Sequence, residues 1–416
     1  MSRLSSQIAY NTIGNTVTLV FQWVIVMAIP KITDFSDAGV FAVALSITSL
    51  MNIVATMNLA QYQVADQYEK FTENDYFVSR LFTIILSFLF CGVAVIVFGY
   101  STKQALVIFG YMIYRNFIHF ANLHLATLQI NSHLDYVGKC MIVEGVVSFI
   151  SFIVPYILIK DLVIATALMA FIGGGVFLLT LSYGYRRYMG RKYPMCLSNH
   201  SNLIPMIMIG IPLMLSIIVP IAITSIPKLE LQYYWGDEIV GVFSTLTAPT
   251  IIIPTLIVGV FSPFIVSFSN MAKRGDFRQV RFSYLKLCAV ILLFGLTSLV
   301  VSILCAKFFF VLLYGEYIVE YIGYFHVMIV GIIFYSIGVC GTTVLVTKDQ
   351  GKEAAILAFC ALALSIVLMG LIIPSDGFRG ATYSLLAAYV LFALFISAGV
   401  LFRKLNPTKK EDGTED

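Results

Sequence analysis

The 416-residue sequence is 59% hydrophobic and 12% charged, with a mean hydropathy of +0.92 and a formal net charge of +4. A soluble domain carries about 25% charged residues, so the composition excludes a soluble globular protein and indicates an all-α polytopic membrane protein. The 7 cysteines are scattered singly, with no C-x-x-C pair, and predict neither a disulfide framework nor a metal site.

Apolar runs of bilayer length fall at residues 9–30, 38–60, 77–99, 104–128, 137–159, 161–185, 203–225, 239–262, 282–306, 318–346, 354–373 and 380–402. They predict twelve transmembrane helices joined by short polar stretches. The first run lacks a clear small-residue cleavage site and reads as a retained helix, not a signal peptide. With the N-terminus placed in the cytoplasm, 19 of the 26 Lys and Arg residues fall on the cytoplasmic side, Lys70 and Arg80 among them. Six fall outside, including Lys31, Lys103 and Lys228, and Arg115 is left over. This asymmetry predicts both termini in the cytoplasm and an even number of helices.

The first run carries Asn11, Asn15, Thr18 and Gln22 at helical spacing, so their side chains share one face. The fourth carries Tyr111, Arg115, His119 and Asn122 in a similar stripe. At about 1.5 Å per residue, Arg115 lies roughly 16 Å from the start of its run, near the midplane of a hydrocarbon core about 30 Å thick. A lipid-facing arginine there costs about 2.5–3.5 kcal/mol or more, so the guanidinium is expected to face a partner or a hydrated cavity. The fifth run carries Glu144, Ser148 and Ser151, and Glu144 is the one acid placed inside the hydrocarbon. It reads either as the counter-ion of Arg115 or as a proton- or sodium-coupling site. Gly173-Gly174-Gly175 in the sixth run predicts close helix approach.

The second half carries Pro205, Pro212, Pro220, Pro249, Pro254 and Pro263, with Gly331, Gly338 and Gly341 in the tenth run. Prolines there allow bends or plain kinked packing. An internal repeat links the halves. Ala28-Ile-Pro30-Lys31, followed by Asp37-Ala-Gly39-Val-Phe41, matches Ser225-Ile-Pro227-Lys228, followed by Asp237-Glu-Ile-Val-Gly241-Val-Phe243. Both copies join an odd helix to the next on the outer side, so two six-helix lobes related by a parallel repeat are predicted, with a binding cavity between them. The corresponding boundaries are 1–190 for the N-terminal lobe, 191–202 for a cytoplasmic linker, 203–402 for the C-terminal lobe and 403–416 for a cytoplasmic tail.

After the second copy come Phe261-Ser-Pro263-Phe, Lys273-Arg-Gly275-Asp276-Phe and Leu312-Leu-Tyr-Gly315-Glu316-Tyr317. Together with Ala126-Thr-Leu-Gln-Ile-Asn131, they resemble the Wzx-type O-antigen flippases, the polysaccharide-export branch of the multidrug, oligosaccharidyl-lipid and polysaccharide exporter superfamily. The resemblance implies a non-enzymatic transporter of the bacterial inner membrane. It would carry a polyprenyl-pyrophosphate-linked oligosaccharide, an O-antigen or similar polysaccharide unit for lipopolysaccharide, from the cytoplasmic to the periplasmic leaflet by alternating access. It further implies membrane lipids, a polysaccharide polymerase and chain-length machinery as partners, possible proton or sodium coupling, and no nucleic acid or cofactor. Arg115, with His119 beside it, matches the cationic cavity residues of that family, and Asn11, Asn15, Gln22 and Asn122 suit the hydrogen-bonding needs of sugars. Two other readings are a drug or organic-cation antiporter of the same superfamily, which would favour acidic and aromatic cavity residues, and a membrane-embedded glycan polymerase or glycosyltransferase, which would need a longer extramembrane loop.

Overall fold

The computed structural model describes residues 2–65, 70–197, 201–261, 268, 271, 274, 276–347 and 350–402. Pro263, Lys273 and the tail 403–416 lie outside the described residues. Within them every regular element is helical, as the apolar runs predict. The helices that meet the length and hydropathy needed to cross a membrane number nine among the described residues, and ten when the bent pair Leu203–Leu215 and Ile217–Trp235 counts as one span. The bend has a local cause: Pro220 has no N–H to donate to the carbonyl four residues back, at position 216.

The chain divides into two compact units, Met1–Ala248 and Pro249–Asp416. The first contains α1 (Ser2–Ile32), α2 (Phe35–Thr56), α3 (Leu59–Ala65), α4 (Glu73–Val97), α5 (Thr102–Ile130) and α6 (Leu134–Ile159). It continues through α7 (Leu162–Leu168), a π-helical turn (Met169–Gly174), α8 (Gly175–Met189), α9 (Leu203–Trp235) and α10 (Asp237–Thr247). Side chains fix the helix starts. Asp34 accepts the Asp37 amide at α2, while Thr72 with Asp75 and Ser101 with Gln104 form reciprocal capping boxes at α4 and α5. Lys228, read from the sequence as an outer-loop charge, is instead a half-buried residue within α9, because that helix runs on to Trp235.

Both copies of the internal repeat are helical, and they meet. The first turns of α2 and α10 cross backbone to backbone at two glycines. A Cβ on Gly39 would sit 1.8 Å from the Asp237 carbonyl oxygen, and one on Gly241 would sit 1.8 Å from that of Phe35. The start of α5 ties down both helices. Lys103 pairs with Asp37, which also accepts the Tyr156 hydroxyl at 2.8 Å, and the Gln104 amide donates to Asp237 at 2.7 and 3.0 Å. Val40, Phe41, Val242 and Phe243, the Val-Phe pair of each repeat copy, are all buried.

At the other end of α2 the helix breaks at Met57 (φ 42°) and Asn58 (φ 54°), two non-glycine residues in left-handed conformation. The carbonyl of Ala55, left over at this break, accepts Arg80 Nη1 and Thr83 Oγ1, each at 2.8 Å. The sequence reading counts Arg80 among the cytoplasmic charges and gives no sign of its burial. Arg80 is 2% exposed. The negative end of the α2 dipole and its orphaned carbonyl supply a reason to bury a guanidinium there.

The segment after α8 is docked, not loose. Glu73, at the start of α4, accepts Tyr185 at 2.7 Å, Arg191 at 2.9 Å and Thr127 at 3.3 Å, and its backbone carbonyl accepts the Tyr193 hydroxyl at 3.2 Å. Burial, with the Glu73 carboxylate beside it, holds the Tyr193 phenol well above its ordinary range, so it remains a donor. Asn74 adds two hydrogen bonds to the backbone of Cys196. Glu73→Ala takes the carboxylate from Tyr185, Arg191 and Thr127. It is expected to cost about 1–3 kcal/mol and to speed limited proteolysis within 190–197, and cleavage at the wild-type rate would show that this carboxylate does not hold the segment.

The second unit contains α11 (Ile252–Phe261), α12 (Phe277–Tyr314), a 3-10 turn (Glu316–Tyr321), α13 (Ile322–Thr347) and α14 (Gly351–Phe402). Gly331, Gly338 and Gly341 form a groove on α13 that receives Tyr389, Phe392 and Ile396 of α14. The tenth-run glycines thus serve close packing. α14 is two helices, matching the last two predicted runs, that meet at a kink at Gly377 (φ 54°, ψ −126°), where glycine turns the chain without a loop.

Candidate functional site

Small residues draw α1 against α6. A Cβ on Gly14 would lie 2.5 Å from the Gly138 carbonyl oxygen, and one on Gly145 would lie 3.1 Å from Thr18 Cα. This approach brings the polar face of α1 onto Glu144. Behind α6, Gly173 of the π-helical turn leaves room for Ser148, and Gly174 leaves room for Phe117 of α5. Gly173 and Gly174 are thus sites of close approach, as expected, whereas Gly175 meets no neighbour, and the first two end a π turn that composition does not announce.

Between these helices lies a cavity of about 240 Å³ lined by Asn15, Thr18, Leu19, Gln22, Arg115, Ile118, Asn122, Met141, Glu144 and Phe177. Five residues singled out from the sequence, Asn15, Gln22, Arg115, Asn122 and Glu144, therefore share one wall, and Thr18 of the first stripe joins them. Two others do not. His119, 3% exposed, turns toward α2, where its Nε2 meets Asn52 Oδ1 at 2.9 Å. Asn11 lies one turn before Asn15, its carbonyl accepting the Asn15 amide at 3.1 Å, and is not a wall residue.

Arg115 sits at the middle of α5, the fourteenth of its 29 residues. Among the described residues its guanidinium makes no ion pair and no hydrogen bond, and its Nε is buried without a partner. Glu144, 3% exposed, is its neighbour on the wall but not its partner. The carboxyl is held by hydroxyls: Tyr114 and Ser148 donate to Oε1, the latter at 3.1 Å, and Thr18 Oγ1 lies 3.0 Å from Oε2. The arrangement is a fixed, uncommitted cation beside a hydroxyl-lined acid, with amide groups of Asn15, Gln22 and Asn122 around them. At about 30 Å³ per water, the volume corresponds to roughly eight waters, enough for a small polyanionic group and too little for several sugars. No cluster of His, Cys, Asp or Glu among the described residues has the grouping of a metal site.

Tyr114 and Arg80 escape the sequence reading. A tyrosine in an apolar run reads as core, and the partner of Tyr114 is 30 positions away. Arg80 stands near the start of an apolar run, and the Ala55 carbonyl that holds it is 25 positions away.

No family model matches the sequence. Over 385 residues the chain is 22% identical to the capsular polysaccharide biosynthesis protein CapF of Staphylococcus aureus, covering 90% of this chain and 94% of that protein. Among solved structures it is similar to the lipid II flippase MurJ in an inward closed conformation, with a TM-score of 0.73, 14% identity, and coverage of 94% of this chain and 87% of that one. It is also similar to an inward-facing multidrug resistance MATE family transporter of the MOP superfamily, with a TM-score of 0.71, 12% identity, and coverage of 95% and 97%. The chain is a multi-pass membrane protein with the fold seen in the lipid II flippase MurJ and in the MATE transporters of the MOP superfamily.

Proposed function

We propose that this protein carries a polyprenyl-pyrophosphate-linked oligosaccharide, an O-antigen or similar polysaccharide repeat unit, from the cytoplasmic to the outer leaflet of a bacterial inner membrane. The observation that carries the reading is Arg115: a guanidinium at mid-helix, without an ion pair or hydrogen bond among the described residues, on the wall of a polar cavity. Leaving a charge unpaired at that depth is costly, and a diphosphate repays the cost with bidentate, charge-assisted hydrogen bonds. Asn15, Gln22 and Asn122 offer neutral hydrogen bonds to the sugar nearest the diphosphate. The remaining sugars need a wider hydrated path, and the lipid tail stays in the bilayer.

The proposal includes twelve spans in two six-helix lobes that rock in alternating access, with both termini cytoplasmic. Support comes from the twelve apolar runs, the positive-inside asymmetry, and the meeting of the two repeat copies at α2 and α10. The similarity to a lipid II flippase and to a capsule biosynthesis protein supports a lipid-linked glycan as cargo. A polymerase and chain-length machinery would take the delivered unit. A second reading, export of drugs or organic cations, draws on the MATE likeness and the buried Glu144, but an uncommitted arginine on the same wall would repel such a cargo.

Deletion in the native host is expected to leave lipid-linked oligosaccharide in the inner leaflet, identified by mass spectrometry of extracted lipids. Normal surface glycan with no accumulated intermediate would refute the flippase reading.

A further inference from the structure

A second polar group lies around α5 from the cavity. Asn116 and His119 of α5 are 7% and 3% exposed, Arg80 of α4 is 2% exposed, and none of the three lines the cavity wall. His119 meets Asn52 of α2, and Thr127 of α5 meets Glu73 of α4. At 100° per residue Asn116 lies about 60° around the helix from His119 and about 20° from Thr127. It is therefore aimed at the junction of α5 with both α2 and α4. Arg80 belongs to the same junction: its Nη1 donates to Ala55 of α2 at 2.8 Å, and its charge is within electrostatic reach of the His119 ring.

Four hydrogen-bonding atoms of this group are buried without a partner among the described residues: Arg80 Nε, Asn116 Nδ2 and Oδ1, and His119 Nδ1. Nearby hydroxyls do not fill the gap. The buried serines and threonines of α2 and α4 are committed elsewhere: Ser46, Thr48, Thr83 and Ser87 donate to backbone carbonyls, and Ser79 to the Met206 sulfur. The open bonds are of both kinds. Arg80 Nε–H and the two N–H groups of Asn116 need acceptors. Asn116 Oδ1 needs a donor, and so does His119 Nδ1, which is left as an acceptor when Nε2 of the neutral ring donates to Asn52 Oδ1. An anion would meet only the first kind and a metal cation only the second, whereas water donates and accepts.

We propose that the junction of α2, α4 and α5 is an internal hydration site, in which bound water links Arg80, Asn116 and His119. About six open bonds, at about three per buried water, correspond to about two waters. At this depth no solvent from the bilayer can take their place. Helix α5 is then wetted on two faces, by the cavity at Arg115 and by bound water at Asn116, the next residue. The site stands whatever the cargo at Arg115.

Magic-angle-spinning NMR of the full chain in lipid bilayers, with nitrogen-15 in its 5 histidines, measures magnetisation transfer from water protons to each ring. His119, identified by the signal that His119→Gln removes, is expected to receive it in spite of its burial, at mixing times that also reach the partly exposed His133. No transfer to His119 at those times overturns the site. Asn116→Leu tests it by sign, since leucine has nearly the volume of asparagine and no polar atoms. A solvated Asn116 predicts that leucine strips the waters of a partner, lowers the thermal midpoint by a few degrees and weakens the transfer to His119. A dry Asn116 predicts a higher midpoint, because leucine removes an unsatisfied amide. A rise in the midpoint, or transfer that Asn116→Leu leaves unchanged, overturns the site. If the leucine variant does not fold, the wild-type transfer decides alone.

Discussion

Arg115→Ala is expected to reduce glycan export by two or more orders of magnitude while leaving the folded protein as stable as the wild type or slightly more so. Each charge-assisted hydrogen bond to a diphosphate is worth about 1.5–3 kcal/mol, and two of them correspond to a factor of at least about a hundred. The stability half of the prediction separates this role from a structural one. An arginine that held helices together would leave an orphaned carboxylate or carbonyl when truncated, at a cost of about 3–5 kcal/mol for a buried ion pair. Arg115 has no such partner among the described residues, so its removal takes away a buried charge and orphans nothing. Arg115→Lys keeps the charge but not the planar fork, and export roughly ten- to a hundredfold below wild type is expected. The measurement is surface glycan per cell at matched membrane levels, paired with thermal unfolding of the purified variants. Wild-type export by Arg115→Ala would end the central role proposed for this residue.

Gly39→Ala and Gly241→Ala are each expected to destabilise the protein by about 2–3 kcal/mol, and the double variant by clearly less than the sum. A Cβ at either position would meet a backbone carbonyl oxygen at 1.8 Å, whereas real Cβ contacts stay beyond about 3.0 Å. No rotamer change relieves a clash with backbone, so α2 and α10 must separate by more than an ångström. Once one methyl has forced them apart, the second enters space already opened. Reversible unfolding of the two single variants and the double variant measures this coupling directly. Strict additivity would mean that the two glycines do not guard one shared contact.

The legible part of the site follows from how each residue signals. Asn15, Thr18 and Gln22 announce a polar face through their spacing, and Arg115 and Glu144 stand out as charges within apolar runs. All five reach the same cavity. His119 was grouped with Arg115 because its side chain lies about 40° around the helix from it. That angle is enough to turn it onto α2, and no single-helix pattern can say which neighbour stands there. The break at Met57 and Asn58 is silent for a related reason: neither residue is glycine or proline, and it is Arg80 and Thr83, from a different helix, that satisfy the carbonyl left there. The hydroxyls on Glu144 come from α1, α5 and α6, so the set exists only once the three helices are packed. Helices are written in local periodicity, whereas a site assembled across helices depends on contacts between residues tens to more than a hundred positions apart.

The crossing of α2 and α10 has one more consequence. Phe35 stands to Asp237 as Gly39 stands to Gly241, since both pairs are 202 positions apart. Gly39 faces the carbonyl of Asp237, and Gly241 faces the carbonyl of Phe35. Each copy therefore offers the other the same backbone surface that it receives, which is the exchange found in an isologous interface between identical subunits. A chain of half this length could complete the contact only by pairing with a second copy of itself. Joining both copies in one polypeptide keeps the backbone symmetric and releases the side chains from that symmetry. Lys103 serves Asp37 and Gln104 serves Asp237 from a single helix start, an arrangement no symmetric dimer could supply to both sides at once.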